Sequence, residues 1–156
     1  MKIYIGTDHA GFEFKESLVE FLKVQGHDID DMGAHSYEAL DDYPDFVHPV
    51  AVAVAGDTES RGIILGGSGQ GEAMCANRIK GVRAAVYYGG PFDIAVLSRE
   101  HNDANILSLG ARFIDEDEAK KVVRVWLETP FGGEEKHARR IWKIDNNYKH
   151  GTRTKN

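Results

Sequence analysis

The run Gly62-Ile-Ile-Leu-Gly-Gly-Ser-Gly-Gln-Gly-Glu72 constrains this chain more than any other part of it. Gly62 to Leu65 reads as a short apolar strand, and Ala73-Met-Cys-Ala-Asn77 opens a helix. Between them, four glycines and a serine let the backbone curl until several N–H groups face one point. Such a cup of amides at a helix N-terminus suits negative charge, either a phosphate or a developing oxyanion. Glu72 sits at its rim. A carboxylate beside an oxyanion hole is what removing a proton next to a carbonyl requires: a base, and something to hold the enolate. A glycine-rich turn shaped by packing alone would have the same composition, so the rest of the chain must decide.

Around this loop, strand and helix patterns alternate. Lys2–Thr7 is a β-branched strand ending at Asp8-His9-Ala10-Gly11. Phe14, Leu18, Phe21 and Leu22 follow at helical spacing, with Lys15, Glu16, Glu20 and Lys23 on the opposite face. His27–Met32 is a second strand. A polar loop then leads through Asp42-Tyr43-Pro44-Asp45 into a helix carrying Phe46, Val50 and Val54. The strand at Arg61–Leu65 and a helix over about 72–79 precede a fourth strand at Val82–Tyr87. A helix from Pro91 to Glu100 and a fifth strand at Ala104–Leu109 follow. Asp115 to Glu118 forms a capping box before Ala119, Val122, Val123 and Trp126, and a last helix spans Glu134–Tyr148 with Ile141 and Ile144 as its apolar side. This alternation predicts an α/β fold: a Rossmann-like, doubly wound parallel sheet of about five strands in three α/β/α layers. The 156 residues are expected to form a single domain with a polar tail at 149–156.

In such sheets ligands bind at the carboxyl ends of the strands. Asp8 and His9 follow the first strand, the glycine loop the third, and Gly110-Ala-Arg112 the fifth. His101 and Asn102 lie just before strand five, on a turn that the preceding helix can bring to either rim. Composition narrows the function further. A net charge of −6 argues against a nucleic-acid surface, and no apolar run approaches the roughly 20 residues that span a bilayer. The single cysteine, Cys75, and an N-terminus that enters a strand directly lead us to expect a cytoplasmic protein.

Familiar motif templates fail. The loop lacks G-x-G-x-x-G spacing, no lysine follows it as in a P-loop, and Gln70 breaks a G-x-S-x-G elbow around Ser68. A metal set drawn from Asp8, His9, His101 and Asp103 pairs sequence neighbours whose side chains more often point apart, so no metal or other cofactor is expected. Asp8 could simply cap the next helix, and His101 could be a solvated helix end. The cluster Lys136-His-Ala-Arg-Arg140 would ordinarily be a solvated face, yet in an acidic chain it can gather a phosphate. Cys75, one turn inside its helix, reads as core rather than nucleophile.

Taken in order, Gly6-Thr-Asp-His-Ala-Gly11, Asp42-Tyr-Pro44, Gly66-Gly-Ser-Gly-Gln-Gly-Glu72, Ala76-Asn77, Ser98-Arg-Glu-His-Asn-Asp103 and Gly110-Ala-Arg112 resemble the ribose-5-phosphate isomerase B family, which includes galactose-6-phosphate isomerase subunits. The resemblance covers about 2–144. It implies metal-independent interconversion of ribose 5-phosphate and ribulose 5-phosphate through a cis-enediolate, with a six-carbon sugar phosphate (galactose or allose 6-phosphate) as the alternative. A non-catalytic nucleotide- or phosphate-binding module is the alternative of another class. Family members use as base either a cysteine at the position of Gly66 or a glutamate closing the loop, and this chain resembles the glutamate type, with Glu72. The resemblance further implies that His101 assists ring opening and that Asp8 contacts sugar hydroxyls. The amides of Gly67, Ser68, Gly69, Gln70 and Gly71, with the Ser68 hydroxyl, would hold the oxyanion, with Asn102 also at the substrate. His9, Arg112, Lys136, His137 and Arg140 would surround the phosphate. Lys136 stands where the family usually has arginine, which replaces a bidentate fork by a point charge. Family members assemble as homodimers or dimers of dimers with shared active sites, so the last helix is expected to serve a partner's site.

Overall fold

In the computed structural model, which describes residues 1–146, five parallel strands form one sheet in the order β2-β1-β3-β5-β4. The strands are β1 (Lys2–Thr7), β2 (Asp28–Asp31), β3 (Arg61–Gly66), β4 (Ala84–Tyr87) and β5 (Ile106–Gly110). The helices are α1 (Phe12–Val24), α2 (Pro44–Gly56), α3 (Gln70–Ala76), α4 (Asp93–Glu100), α5 (Glu116–Glu128) and α6 (Glu135–Asn146). The predicted doubly wound α/β fold is present. None of these helices is long and apolar enough to cross a membrane.

Alternation along the strands divides the interior into two layers. Ile3, Ile5, Ile63, Leu65, Leu107 and Leu109 face one side and pack with Leu18 and Leu22 of α1, Ala95 of α4 and Val122, Val123 and Trp126 of α5. Ile64 and Ile106 face the other, against Val47, Val50, Ala51 and Val54 of α2 and Ala76 of α3. After β2 the chain crosses back over β1 to lay down β3. The carboxyl ends of β1 and β3 therefore flank the point where winding reverses, the usual ligand crevice in such sheets.

Several elements depart from expectation. Lys15, expected on the polar face of α1, is fully buried. Its ammonium stands over the Phe12 ring and pairs with Asp31 at the end of β2 and with Glu16, so a long side chain buries its carbons and still finds counter-charge. The capping box is half formed. Asp115 caps the Glu118 N–H at 2.8 Å, but the Glu118 carboxylate turns away to accept the Tyr87 hydroxyl at 2.7 Å. The last helix ends at Asn146, and its predicted continuation to Tyr148 and the tail lie outside the described residues. Its expected apolar side is poorly covered by its own chain: Ile141 is half-buried, while Trp142 and Ile144 are exposed.

Candidate active site

At the carboxyl edge, β3 ends at Gly66 and passes into the glycine loop. The carbonyls of Gly66 and Gly67 accept the N–H groups of Ala111 and Arg112 at 2.9 and 3.1 Å. In a trans peptide the following N–H points the opposite way, so the amides of Ser68 and Gly67 are turned away from the β5 side. Ser108 Oγ donates to the Gly69 carbonyl at 2.7 Å and pulls the loop down. Gly69 sits at φ +76°, with the Leu109 carbonyl carbon 3.1 Å from where a Cβ would be, so both conformation and space demand glycine. Gln70 N–H reaches Ser68 Oγ at 3.3 Å. Among the described residues, the N–H groups of Gly67, Ser68, Gly69 and Gly71 have no protein acceptor.

Glu72, in the first turn of α3, is buried above this loop. A Cβ at Gly66 would lie 1.8 Å from its Oε1 and 2.1 Å from its Cδ. The carboxylate therefore fills the space that any side chain at position 66 would need. Burial raises the Glu72 pKa above its ordinary 4.5, opposed by its own backbone N–H and reinforced by the nearby Asp8 charge. Desolvation thus outweighs the hold that a helix N-terminus exerts on an ionised carboxylate. A base with a raised pKa accepts a proton more readily at neutral pH.

Asp8 follows β1 directly, caps the short 3-10 turn His9–Gly11 through the Ala10 N–H at 2.9 Å, and is itself buried. Capping is thus real, and it delivers the carboxylate to Glu72. His9 is half-buried beside it. Arg112 lies along the loop, with its guanidinium 3.2 Å from where a Gly67 Cβ would be, and no carboxylate among the described residues pairs with it. Two side chains that sequence reasoning did not place stand here as well. Tyr43 puts its hydroxyl against Gly71, 2.7 Å from a would-be Cβ, and Asp41 holds His9. The Asp42-Tyr-Pro44 marker was the signal for Tyr43; Asp41 had none. Cys75 is half-buried against the α2 core, and burial and the Glu72 charge both push its thiol up, which disfavours a nucleophile.

The remaining predicted residues lie at the opposite, amino edge. His101 caps the C-terminus of α4, and the Asn102 carbonyl accepts Arg83 Nε at 2.9 Å just before β4 begins. Asp103, at φ +45°, ties the turn down by pairing with Arg99 at 2.7 Å and Arg83 at 3.2 Å. The His101 ring stacks on that of His137, with centroids 4.2 Å apart and planes at 10°. Arg83 also binds Asp145 at 3.1 Å, so α6 is fastened to this edge. His137 is buried, while Lys136 is half-exposed and paired with Glu134 at 2.8 Å; Arg139 pairs with Glu135 at 2.7 Å and Arg140 is exposed. A strand's length, roughly 17 Å at about 3.3 Å per residue, separates these groups from Glu72. The turn whose direction the sequence left open points away. It also follows that Asp8, His9, His101 and Asp103 of one chain cannot share a metal ion. A different trio, Asp8, His9 and Asp41, brings three donor atoms within 4.8 Å of one another.

The fold and these two edges define an α/β protein with a buried carboxylate set against an anion-receptive glycine loop, and a second cluster of histidines and cations at the far end of the sheet. The chain belongs to the ribose/galactose isomerase family, whose model matches residues 3–144. It is 42% identical over 141 residues to ribose-5-phosphate isomerase B of Mycolicibacterium paratuberculosis, covering 90% of this chain and 87% of that one. Ribose-5-phosphate isomerase B of Mycoplasma genitalium, solved with bound ribulose 5-phosphate, superposes with a TM-score of 0.90 at 38% identity over 96% of this chain and 97% of that one. The Clostridium thermocellum enzyme gives a TM-score of 0.86 at 45% identity over 93% and 95% of the two chains.

The crowding at position 66 makes a direct prediction. Gly66→Ala should displace the Glu72 carboxylate and cut kcat by about 10²-fold, the usual cost of a misplacement near 1 Å. Turnover within a few-fold of wild type in the folded variant would show that the carboxylate need not sit there. The raised Glu72 pKa makes another. If ionised Glu72 is the working form, activity falls as pH drops through its pKa, so the acid limb of kcat/KM should lie above pH 4.5. Asp8 pushes that pKa up, so Asp8→Asn should move the limb downward; a limb that stays put or rises would contradict the coupling.

Proposed function

We propose that this chain interconverts ribose 5-phosphate and ribulose 5-phosphate, with Glu72 as the base. The observation that carries the reading is the Glu72 carboxylate, buried beside loop amides without protein acceptors. Glu72 takes the proton from the carbon next to the carbonyl and returns it to the neighbouring carbon. The N–H groups of Gly67 to Gly71, with Ser68, hold the charge that builds on the enediolate oxygens. Asp8 holds sugar hydroxyls, and His9 and Arg112 meet the phosphate.

His101 and Asn102 serve the site of a second copy of this chain, His101 relaying the proton that opens the sugar ring. Lys136, His137 and Arg140 complete the phosphate clamp there. Two observations support this sharing. One chain holds these groups a strand's length from its own Glu72, and Trp142 and Ile144 on the helix that carries the clamp are exposed. An isologous two-fold contact would pair each amino-edge cluster with the other copy's loop and cover that apolar face. The working form is then a homodimer or dimer of dimers, acting on a phosphorylated sugar in the cytoplasm.

Relatives named for ribose 5-phosphate favour the pentose, whereas the family description also includes galactose. An assay panel of ribose, allose and galactose phosphates, with and without a chelator and with ATP binding measured alongside, tests the reading. Turnover should be highest on ribose 5-phosphate and unchanged by chelator. Preference for a six-carbon phosphate would reassign the substrate, and ATP binding without any isomerisation would sink the enzyme reading.

A further inference from the structure

Asp41 lies in the loop that joins β2 to α2, far in sequence from the residues it serves. That loop is laid on the end of β1 by two backbone bonds, Thr7 N–H to the Gly33 carbonyl and Ala34 N–H to the Thr7 carbonyl, both at 2.8 Å. Asp31 accepts the Gly33 N–H at 2.9 Å, and buried Lys15 holds Asp31. The loop so anchored places one Asp41 oxygen, Oδ1, at two donors of the same residue: the His9 backbone N–H at 3.0 Å and the ring Nδ1 at 2.7 Å.

The side chain of Asp41 is 10% exposed, and the other nearby carboxylate, Asp8 Oδ2, stands 3.9 Å from Nδ1, beyond hydrogen-bond range. An ionised carboxylate can only accept, so Nδ1 carries the ring proton and Nε2 is the nitrogen left for a ligand. Flipping the ring would put a C–H against Oδ1 and lose the bond. Tyr37 stands edge-on to the ring at 6.3 Å and limits its swing. Asp41 Oδ2 is buried with no partner among the described residues, so this carboxylate leaves half its acceptor capacity unused in the interior. That is a poor arrangement for stability alone.

We infer that Asp41 is a positioning residue: by accepting the His9 Nδ1–H it fixes the ring with Nε2 toward the phosphate of the substrate, to which Nε2–H donates when the ring carries both protons. The inference rests on the reading of His9 as a phosphate ligand. It adds a residue that lies outside every sequence marker, and it gives each ring nitrogen of His9 a defined partner.

The experiment uses the full chain, with inorganic phosphate as the competitive probe, ribose 5-phosphate as substrate, and long-range ¹H–¹⁵N spectra of the His9 ring. Wild type should show the Nδ1–H tautomer in the neutral ring. Asp41→Ala should mix the tautomers, raise the phosphate Ki about tenfold, as loss of a hydrogen bond to a charged group implies, and raise KM by a larger factor than it lowers kcat. Asp41→Asn keeps an oxygen acceptor and should retain both the tautomer and most of the affinity. On a His9→Ala background, Asp41→Ala should change Ki no further. Should Asp41→Ala not fold, Asp41→Glu, which moves the acceptor by one methylene, carries the same expectations. A His9 ring that keeps its tautomer without Asp41, or penalties that simply add in the double variant, would overturn the inference. Phosphate affinity untouched by His9→Ala would remove the underlying reading instead, and the two failures are told apart because the tautomer would still respond to Asp41.

Discussion

Glu72→Gln should turn over ribose 5-phosphate roughly 10³-fold more slowly than wild type, about 4 kcal/mol of barrier, within the range that positioned bases contribute. The carboxamide has nearly the same size and shape, so it fits the space above Gly66 and the fold should survive. It cannot take a proton from carbon, and that interaction exists only in the transition state. The loss should therefore fall on kcat, with KM close to wild type. Cys75→Ser is the matched control. Its thiol is half-buried behind the loop and made less acidic by burial, so the serine variant should remain active. A folded cysteine variant without activity, beside a glutamine variant with normal turnover, would transfer the base from one residue to the other.

Mixing two inactive variants should restore activity. Glu72→Gln damages the carboxyl-edge half-site, and His101→Ala damages the amino-edge half-site, which the structure holds a strand's length away. If each working site joins one half from each of two chains, a mixed dimer has one site with both lesions and one with neither. Random pairing after joint denaturation and refolding makes about half the dimers mixed, so about a quarter of wild-type activity should return. Neither homodimer contains an intact site. Size analysis with one variant carrying a mass label confirms that mixing occurred. If mixed dimers form and activity stays at the sum of the separate variants, both halves must act within one chain, and α6 and the His101 turn would have to move to reach Glu72.

How much of this was legible in advance differs from element to element. The strand at Arg61, the glycine loop and the helix after it were readable because glycine is the only residue that tolerates the φ of Gly69 and the contacts at Gly66, Gly69 and Gly71. Strands buried on both faces show near-continuous apolar runs, so β3 and β5 were visible. Lys15 was misplaced because helical periodicity reports only which side of α1 a residue is on. A four-carbon stem crosses that boundary when a carboxylate waits beyond it, and Asp31 belongs to another element.

The chain's local chemistry determined the class of fold, the place of the glycine loop and the identity of its carboxylate. Periodicity, glycine φ and the spacing between Gly66 and Glu72 act over a few residues, and the sequence states such relations directly. Only the tertiary structure decided that Asp8 and Glu72 share one electrostatic environment, that Asp41 holds His9 from 32 residues away, and that His101 and the α6 cations gather at the other edge of the sheet. Each of these depends on strand order and on which way a turn leaves its helix. Those are set by packing across the whole domain: β1 beside β3, and α6 tied to β4's lead-in by Arg83 and Asp145. Burial decided the last point as well. A glutamate in the first turn of a helix should be held ionised by the exposed N–H groups there, but the layers that close over Glu72 remove water from it, and desolvation outweighs the local dipole.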